Sequence, residues 1–531
     1  RAARGIIYSA DNTVLAESKP TYIILHHSFD KYLKPSDQIV KELSKILGRK
    51  IAPIDESRRY GKVVKLKDNL SIEDMFKIQE KKISLKDISV VKEPRRIYYY
   101  PQATSHIVGY IGKIGADEIE DLSERGYKME DYIGRGGIEQ AYDEYLHGKN
   151  GGWQIEVNAK GYRVKAFEYI APEVGASIYS TIDLKLQQIA YETLKNSATG
   201  MGAVVVLDAK TGAVKALVSC PGFDANTAGS REFGKYLEDK TLPLFNRALQ
   251  ALYPPGSVFK IITFAAAMDI KKIDPSETLH CAGTFELGKR HYICWYRSGH
   301  SKLNLISAMA QSCNIYFYQL GLKLGIRNLE KYAKKFYLDH KTGIDLPNEK
   351  KGFIPNPEWK NSKLKMPWFQ GDTIIFAIGQ GALCVTPLQM ACMISVVANN
   401  GVYRKPYIVE KVVDFNGNEV YKCRLEFDNK LELSDETWKL LHQALTETVE
   451  NGTGRKCKIP GIKIAGKTGT AQNPQGKDHA WFVSYAPVDD PEIAIAVIVE
   501  HGGGGGLNAV PICRKIYEAY FSKEENKGIK Q

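Results

Sequence analysis

A chain of 531 residues is longer than one ordinary hydrophobic core can serve, so two or three domains are expected. With 44% hydrophobic and 25% charged residues, the composition is that of a folded globular protein and excludes a disordered or fibrous one. The formal charge of +12 is scattered along the chain without a basic block, which favours a solvated surface and no nucleic acid, while an anionic polymer or membrane surface stays compatible.

Taken in chain order, the sequence opens at Arg1-Ala-Ala-Arg-Gly5 without methionine or signal peptide, as expected of a chain cut from a longer protein. No run of about 18 apolar residues follows, so no membrane span is expected in it. Residues 1–170 mix short β-like runs such as Tyr22-Ile-Ile-Leu25 with charged helical stretches such as Pro35–Leu43, an extended α+β region without one long core. The character changes near Ala171–Gly175. A strand-like Ala176–Ile182 leads to an amphipathic helix over 183–197, and Ala203–Leu207 and Ala213–Val218 flank a turn, Asp208-Ala-Lys-Thr-Gly212. Helical patterns dominate 257–335 and 385–400, with an amphipathic helix at 434–450. Strands return at Ile462–Ala465, Ala480–Tyr485 and Ile493–Val499, ahead of a last helix near 509–521. Strands at both ends with helices between predict one sheet closed by the two ends of a second α+β domain. The boundaries read 1–175 and 176–531.

The sharpest chemical signal is Tyr253-Pro-Pro-Gly-Ser-Val-Phe-Lys260. Two prolines and a glycine stop the chain, and Ser257 then sits where a helix starts, a position serine favours. Lys260 follows one turn later on the same face, inside a helix of Val, Phe, Ile and Ala that is expected to be buried all round. A desolvated lysine favours its neutral amine, and a neutral amine beside a hydroxyl is a general base beside a nucleophile. The blander reading is a serine cap with a snorkelling lysine. The spacing alone is weak, since Ser89-Val-Val-Lys92 and Ser362-Lys-Leu-Lys365 share it, but neither opens an apolar helix behind Pro-Pro-Gly. Two further elements follow: Ser312-Cys-Asn314 between helical segments, and Lys467-Thr-Gly-Thr470 after a β-like run. Lys-Thr-Gly also occurs at 210–212 and 341–343, in a hairpin turn and a loop.

Together the three elements resemble the penicillin-binding proteins and serine β-lactamases. Tyr253-Pro-Pro-Gly-Ser257, Ala377-Ile-Gly-Gln-Gly381 with Thr386-Pro-Leu-Gln389, and His479-Ala-Trp-Phe482 look like class B penicillin-binding proteins of the elongation type, penicillin-binding protein 2. Arg4-Gly-Ile-Ile-Tyr8 and Ile133-Gly-Arg-Gly-Gly-Ile-Glu139 look like that family's non-catalytic pedestal domain. Position 8 is Tyr where Asp is more usual, and Asn314 stands where many relatives have Asp.

The resemblance implies a multidomain α+β protein, a pedestal followed by a transpeptidase domain with an antiparallel sheet covered by helices. It implies a peptidoglycan D,D-transpeptidase of cell elongation, acylated by β-lactams. Ser257 is then the nucleophile, Lys260 the base, Ser312 a proton relay, and Asn314 a holder of Lys260 and the substrate amide. Lys467 and Thr468 bind the substrate carboxylate, Gly469 lets the strand come close, and the N–H groups of Ser257 and Thr470 form the oxyanion hole. Implied partners are stem peptides, a SEDS-family glycosyltransferase and a rod-shape scaffold protein, at the periplasmic face of the inner membrane by an anchor absent from this chain. The rivals are a D,D-carboxypeptidase or β-lactamase, and a wall-peptide sensor or scaffold without catalysis.

Nine cysteines argue against a fully paired disulfide framework. Cys281, Cys294, His300 and Cys313 supply three thiolates and an imidazole, a complete tetrahedral set for structural zinc, and some elongation-type relatives hold zinc at this place. A Cys281–Cys294 disulfide and plain buried thiols compete with that reading, and His280 and His291 compete with His300. The remaining cysteines read as incidental thiols. Glu500-His-Gly-Gly-Gly-Gly-Gly506 lacks the Lys-Ser/Thr of a phosphate loop and reads as a turn. His479 has no Gly-x-Ser-x-Gly elbow to serve and reads as structural.

Overall fold

The unbroken apolar runs at 203–207 and 493–499 are explained by a sheet with both faces covered. In a computed structural model that describes residues 1–27, 37–51, 63–81, 88–129, 131–157, 163–425 and 429–528, five antiparallel strands lie in the order Val214–Cys220, Gly202–Asp208, Ile493–Val499, His479–Ala486, Ala465–Ala471. Side chains alternate between faces. Val204 and Val206 pack with the helices Leu184–Lys195 and Val510–Gly528 in one apolar cluster, while Ala203, Val205 and Leu207 join the main core under Pro387–Ala398. The two chain ends therefore do close one sheet, as expected. A sheet apolar on both faces needs its register set elsewhere. One such device is the 208–212 turn, where the Asp208 carboxylate accepts from the N–H groups of Lys210 and Thr211.

A second, seven-stranded sheet draws on three separated parts of the chain. Ile7–Tyr8 pairs in parallel with Ser177–Ser180 and antiparallel with Val14–His27, which carries Val63–Leu70 and Ile88–Tyr98, and Val409–Val413 with Glu419–Lys422 extends the other side. Beneath it lies a buried ion cluster. Glu139 accepts from Arg4 Nε at 2.9 Å and Arg96 Nε at 2.6 Å, and Asp143 accepts from Arg4 Nη2 at 2.7 Å and the Gly134 N–H at 2.8 Å. Removing one partner of such a cluster leaves an uncompensated buried charge, at a cost of about 3–5 kcal/mol. This ties the opening residues to the Ile133–Glu139 stretch. The expected 35–43 helix is seen as Asp37–Leu47, with Pro35 and Ser36 outside the described residues. Among the described residues no helix is long and apolar enough to cross a membrane.

Two local expectations differ. The helical pattern over 257–335 is interrupted: a 3-10 turn at Gly256–Phe259 and a helix Lys260–Asp269 give way to two small hairpins before the helices Leu305–Ala310 and Asn314–Lys335. Leu279–Cys281 pairs with Ser301–Leu303, and Thr284–Leu287 with Arg290–Ile293. Gly288 at φ +61 turns the second hairpin in two residues, a conformation a periodicity count does not weigh. Lys467-Thr-Gly-Thr470 also lies inside its strand instead of after it.

Candidate active site

The nucleophile turn is braced before it is chemical. The Gly256 N–H donates to Gly379 O at 2.8 Å, Trp481 Nε1 donates to Pro254 O at 3.0 Å, and Tyr253 exchanges both backbone bonds with Val385. Gly256 has φ +55, and a Cβ there would meet Thr470 O at 2.6 Å, so the turn and the Lys-Thr-Gly strand are in contact through this glycine. Ser257 lies within the 3-10 turn and does not cap a helix, which corrects the capping expectation; the α-helix begins at Lys260. The chain tightens here because Pro254 and Pro255 enter a turn held at Gly379.

Residues 260–268 are all buried, as the pattern predicted. Lys260 has no exposed surface. Its Nζ donates to Ser312 O at 2.8 Å and Asn314 Oδ1 at 2.8 Å, and lies 3.4 Å from Ser312 Oγ and 5.3 Å from the centre of the Phe317 ring. Burial pushes its pKa down to about 8, against the opposing pull of Cys313 and Cys294.

Ser312 sits at φ +53, a left-handed conformation that costs a non-glycine residue about 1–3 kcal/mol and persists only where its surroundings enforce it. The end of Leu305–Ala310 does part of this: the Ser312 N–H donates to Met309 O and the Cys313 N–H to Ala308 O. Cys313 then caps Asn314–Lys335, its sulfur accepting from the Tyr316 N–H at 3.5 Å. Ser312 and Asn314 thus meet Lys260 while the Cys313 sulfur points elsewhere.

The opposite wall is Ala465–Ala471, the edge strand of its sheet, with half of its backbone groups turned out toward the nucleophile turn. Lys467 is fully buried. Burial and the charge of Lys260 hold its pKa well below the usual lysine range; its Nζ donates to Thr468 O at 3.0 Å, and among the described residues no carboxylate pairs with it, which leaves room for an incoming anion. A Cβ on Gly469 would lie 2.9 Å from Val258 Cγ2 and 3.1 Å from Pro255 O, so this glycine lets the strand approach the Ser257 turn. Gln380 Nε2 donates to Thr470 O at 3.2 Å. Thr453, which motif reading did not single out, shares a 2.6 Å hydrogen bond with the Thr468 hydroxyl. It follows the helix Asp435–Glu450 in Asn451-Gly-Thr-Gly454, where a Cβ on Gly452 would meet Ala310 O at 2.3 Å. His479 accepts from the His501 N–H and packs edge-on against Tyr253, a supporting position.

Behind Ser312, Cys281, Cys294, His300 and Cys313 bring their ligand atoms within 4.8 Å of one another. His300 Nδ1 lies 3.6 Å from Cys281 Sγ and 3.5 Å from Cys294 Sγ. All nine cysteines are free thiols. The Cys313 thiol hydrogen-bonds to the Cys294 sulfur, which favours the thiolate on Cys294 and keeps Cys313 protonated. His280 and His291 are exposed on the hairpins, and His291 faces Glu286.

Comparison with known proteins gives a consistent picture. The chain matches the family described as the penicillin binding protein transpeptidase domain over residues 202–518, and the penicillin-binding protein dimerisation domain over 1–180. It is 31% identical to peptidoglycan D,D-transpeptidase MrdA of Acinetobacter baumannii, over 99% of this chain and 82% of that protein, and 32% identical to MrdA of Escherichia coli K12, over 95% and 84%. A solved complex of penicillin-binding protein PBP2 with MreC from Helicobacter pylori superposes at TM-score 0.83, with 28% identity over 98% of each chain. A structure of a peptidoglycan synthase complex superposes at 0.78, with 29% identity over 98% of this chain and 90% of that one.

Thr453→Val keeps the side-chain shape and removes the hydroxyl that orients Thr468. The expected outcome is a threefold to tenfold weaker affinity for a carboxylate-bearing ligand, about the net worth of one hydrogen bond, measured by titration. Unchanged affinity would show that Thr468 needs no such support.

Proposed function

We propose how this site works from one premise: the chain belongs to the penicillin-binding protein transpeptidase family, as an elongation-type class B member, and is a peptidoglycan D,D-transpeptidase. The observation that carries the mechanism is the bonding of Lys260. A neutral amine has two N–H donors and one lone pair. Ser312 O and Asn314 Oδ1, both at 2.8 Å, take the two donors ahead of Ser312 Oγ at 3.4 Å, so the lone pair is left to take a proton.

Lys260 removes the Ser257 hydroxyl proton as Ser257 Oγ attacks the penultimate D-Ala carbonyl of a donor stem peptide. The negative charge that develops on the carbonyl oxygen is held by the N–H groups of Ser257 and Thr470, each donor being worth about 3 kcal/mol in such sites. The C–N bond to the terminal D-Ala breaks. Its nitrogen takes a proton relayed from Lys260 through Ser312, and an ester on Ser257 remains. An amine from a neighbouring stem attacks that ester, forms the cross-linking amide and restores Ser257. Lys467 and Thr468 orient the donor through its terminal carboxylate, which supplies the counter-charge that buried Lys467 lacks. A β-lactam takes the same path until the opened ring stays attached.

The four-residue Cys/His group fits zinc by donor chemistry: three thiols and an imidazole converging in a buried pocket. Cys281, Cys294, His300 and Cys313 would hold the ion, which would tie Cys313 and its catalytic neighbours to the 279–303 hairpins. The working place proposed is the periplasmic face of the inner membrane, where stem peptides occur. The division proposed is a pedestal over 1–175 and a catalytic domain over 176–531. A rod-shape scaffold protein and a SEDS-family glycan polymerase are the proposed partners, supported by the MreC complex and the synthase complex of the relatives.

Ser257→Ala is expected to abolish labelling by a fluorescent penicillin while circular dichroism and melting stay unchanged; stoichiometric labelling of that variant would contradict the assignment. Elemental analysis of protein purified without chelator is expected to find about one zinc per chain, lost in Cys313→Ser together with most of the acylation rate. A metal-free protein that acylates normally would remove zinc from the account.

A further inference from the structure

Four backbone groups surround the left-handed Ser312, and three have partners already described: Ser312 N–H on Met309 O, Cys313 N–H on Ala308 O, and Ser312 O on Lys260 Nζ. The fourth, Gln311 O, accepts from Trp295 Nε1 at 3.0 Å. Trp295 follows Cys294 directly and lies on the 279–303 segment. It is 55% exposed, yet its ring is not loose, since it stands edge-on to His300 at 5.4 Å and packs against Tyr296 at 5.8 Å. A large aromatic exposed to water with its one polar atom spent on a backbone carbonyl calls for a function, because burial does not account for its place.

We infer that Trp295 is a positioning residue for the acylation step, holding the Gln311–Ser312 peptide plane through its indole N–H. Reversing the left-handed turn at Ser312 requires that plane to rotate. Both of its ends are pinned, the N–H by Met309 and the C=O by Trp295. Without the indole bond the plane is free to rotate about its remaining anchor, and Ser312 Oγ leaves the 3.4 Å separation from Lys260 Nζ. The contacts of Trp295 are with Gln311 O, Tyr296 and His300. It acts through Ser312, and it makes the outer hairpins part of the catalytic framework by a route separate from Cys313. This rests on the reading that Ser312 serves acylation.

Stopped-flow acylation by a fluorescent penicillin separates the non-covalent dissociation constant from the acylation rate constant. In Trp295→Phe, which keeps a ring against His300 and removes the donor, the acylation rate constant should fall about tenfold or more, as displacement of a catalytic group does. The non-covalent constant, melting temperature and metal content should stay at wild-type values. Wild-type acylation would overturn the inference, and so would a fall that tracks an equal loss of metal or melting temperature, the mark of a packing role. In 15N-labelled wild type, the Trp295 indole N–H, assigned by its absence from the variant, should exchange slowly with solvent despite the exposed ring; rapid exchange would also overturn it. Wild-type acylation by Ser312→Ala would instead bring down the role of Ser312, and with it the reading of the site.

Discussion

A lysine amine with no exposed surface is the constraint on which the rest of this structure depends. Removing an ammonium from water costs several kcal/mol, and the protein meets that cost by letting Lys260 titrate near pH 8 and by offering it neutral acceptors, a backbone carbonyl and an amide oxygen at 2.8 Å and the Ser312 hydroxyl at 3.4 Å. A carboxylate in place of Asn314 would favour the charged form more strongly. The amide keeps the hydrogen bond without that pull, so it suits a base that must be neutral to act.

Everything around Lys260 serves to hold those acceptors in place. Ser312 O is available only because Ser312 is left-handed, and that conformation is enforced by the end of one helix, the start of the next and the hairpins that carry Trp295. The opposite wall approaches only because Gly256 and Gly469 present no side chain where turn and strand meet. Lys467, buried across the cleft, has its proton affinity lowered partly by Lys260. The two lysines therefore share one electrostatic field, which a substrate carboxylate rebalances.

Much of this was legible in the chain, for physical reasons. Pro-Pro-Gly followed by an apolar helix with one lysine is a local pattern, and its chemistry follows from burial that the neighbouring residues themselves ensure. Strands at both ends of a helical stretch pointed to one sheet closed by the two ends of the domain. What was not legible depends on contacts distant in sequence. Thr453 meets Thr468 across a helix-to-strand connection, Gln380 reaches Thr470 from 90 positions away, and His300 is distinguished from His280 and His291 only by the pairing of two hairpins. The hairpins themselves leave little trace in the sequence, since their strands are three or four residues long and sit inside strongly helical flanks. The joining of strands from 7–98, 177–180 and 409–422 into one sheet is likewise a property of topology that no single stretch carries.

The most direct measurement is the titration of Lys260 itself, by NMR of selectively 13C-labelled lysine with Lys260→Arg for assignment, alongside the acylation rate over the same pH range. A lowered folded-state pKa means the amine is neutral above that value and charged below it. The account predicts a midpoint of about 8 and an acylation rate that rises through the same pH. A midpoint at the ordinary lysine value, with acylation already complete several pH units below it, would contradict a neutral Lys260 as the base.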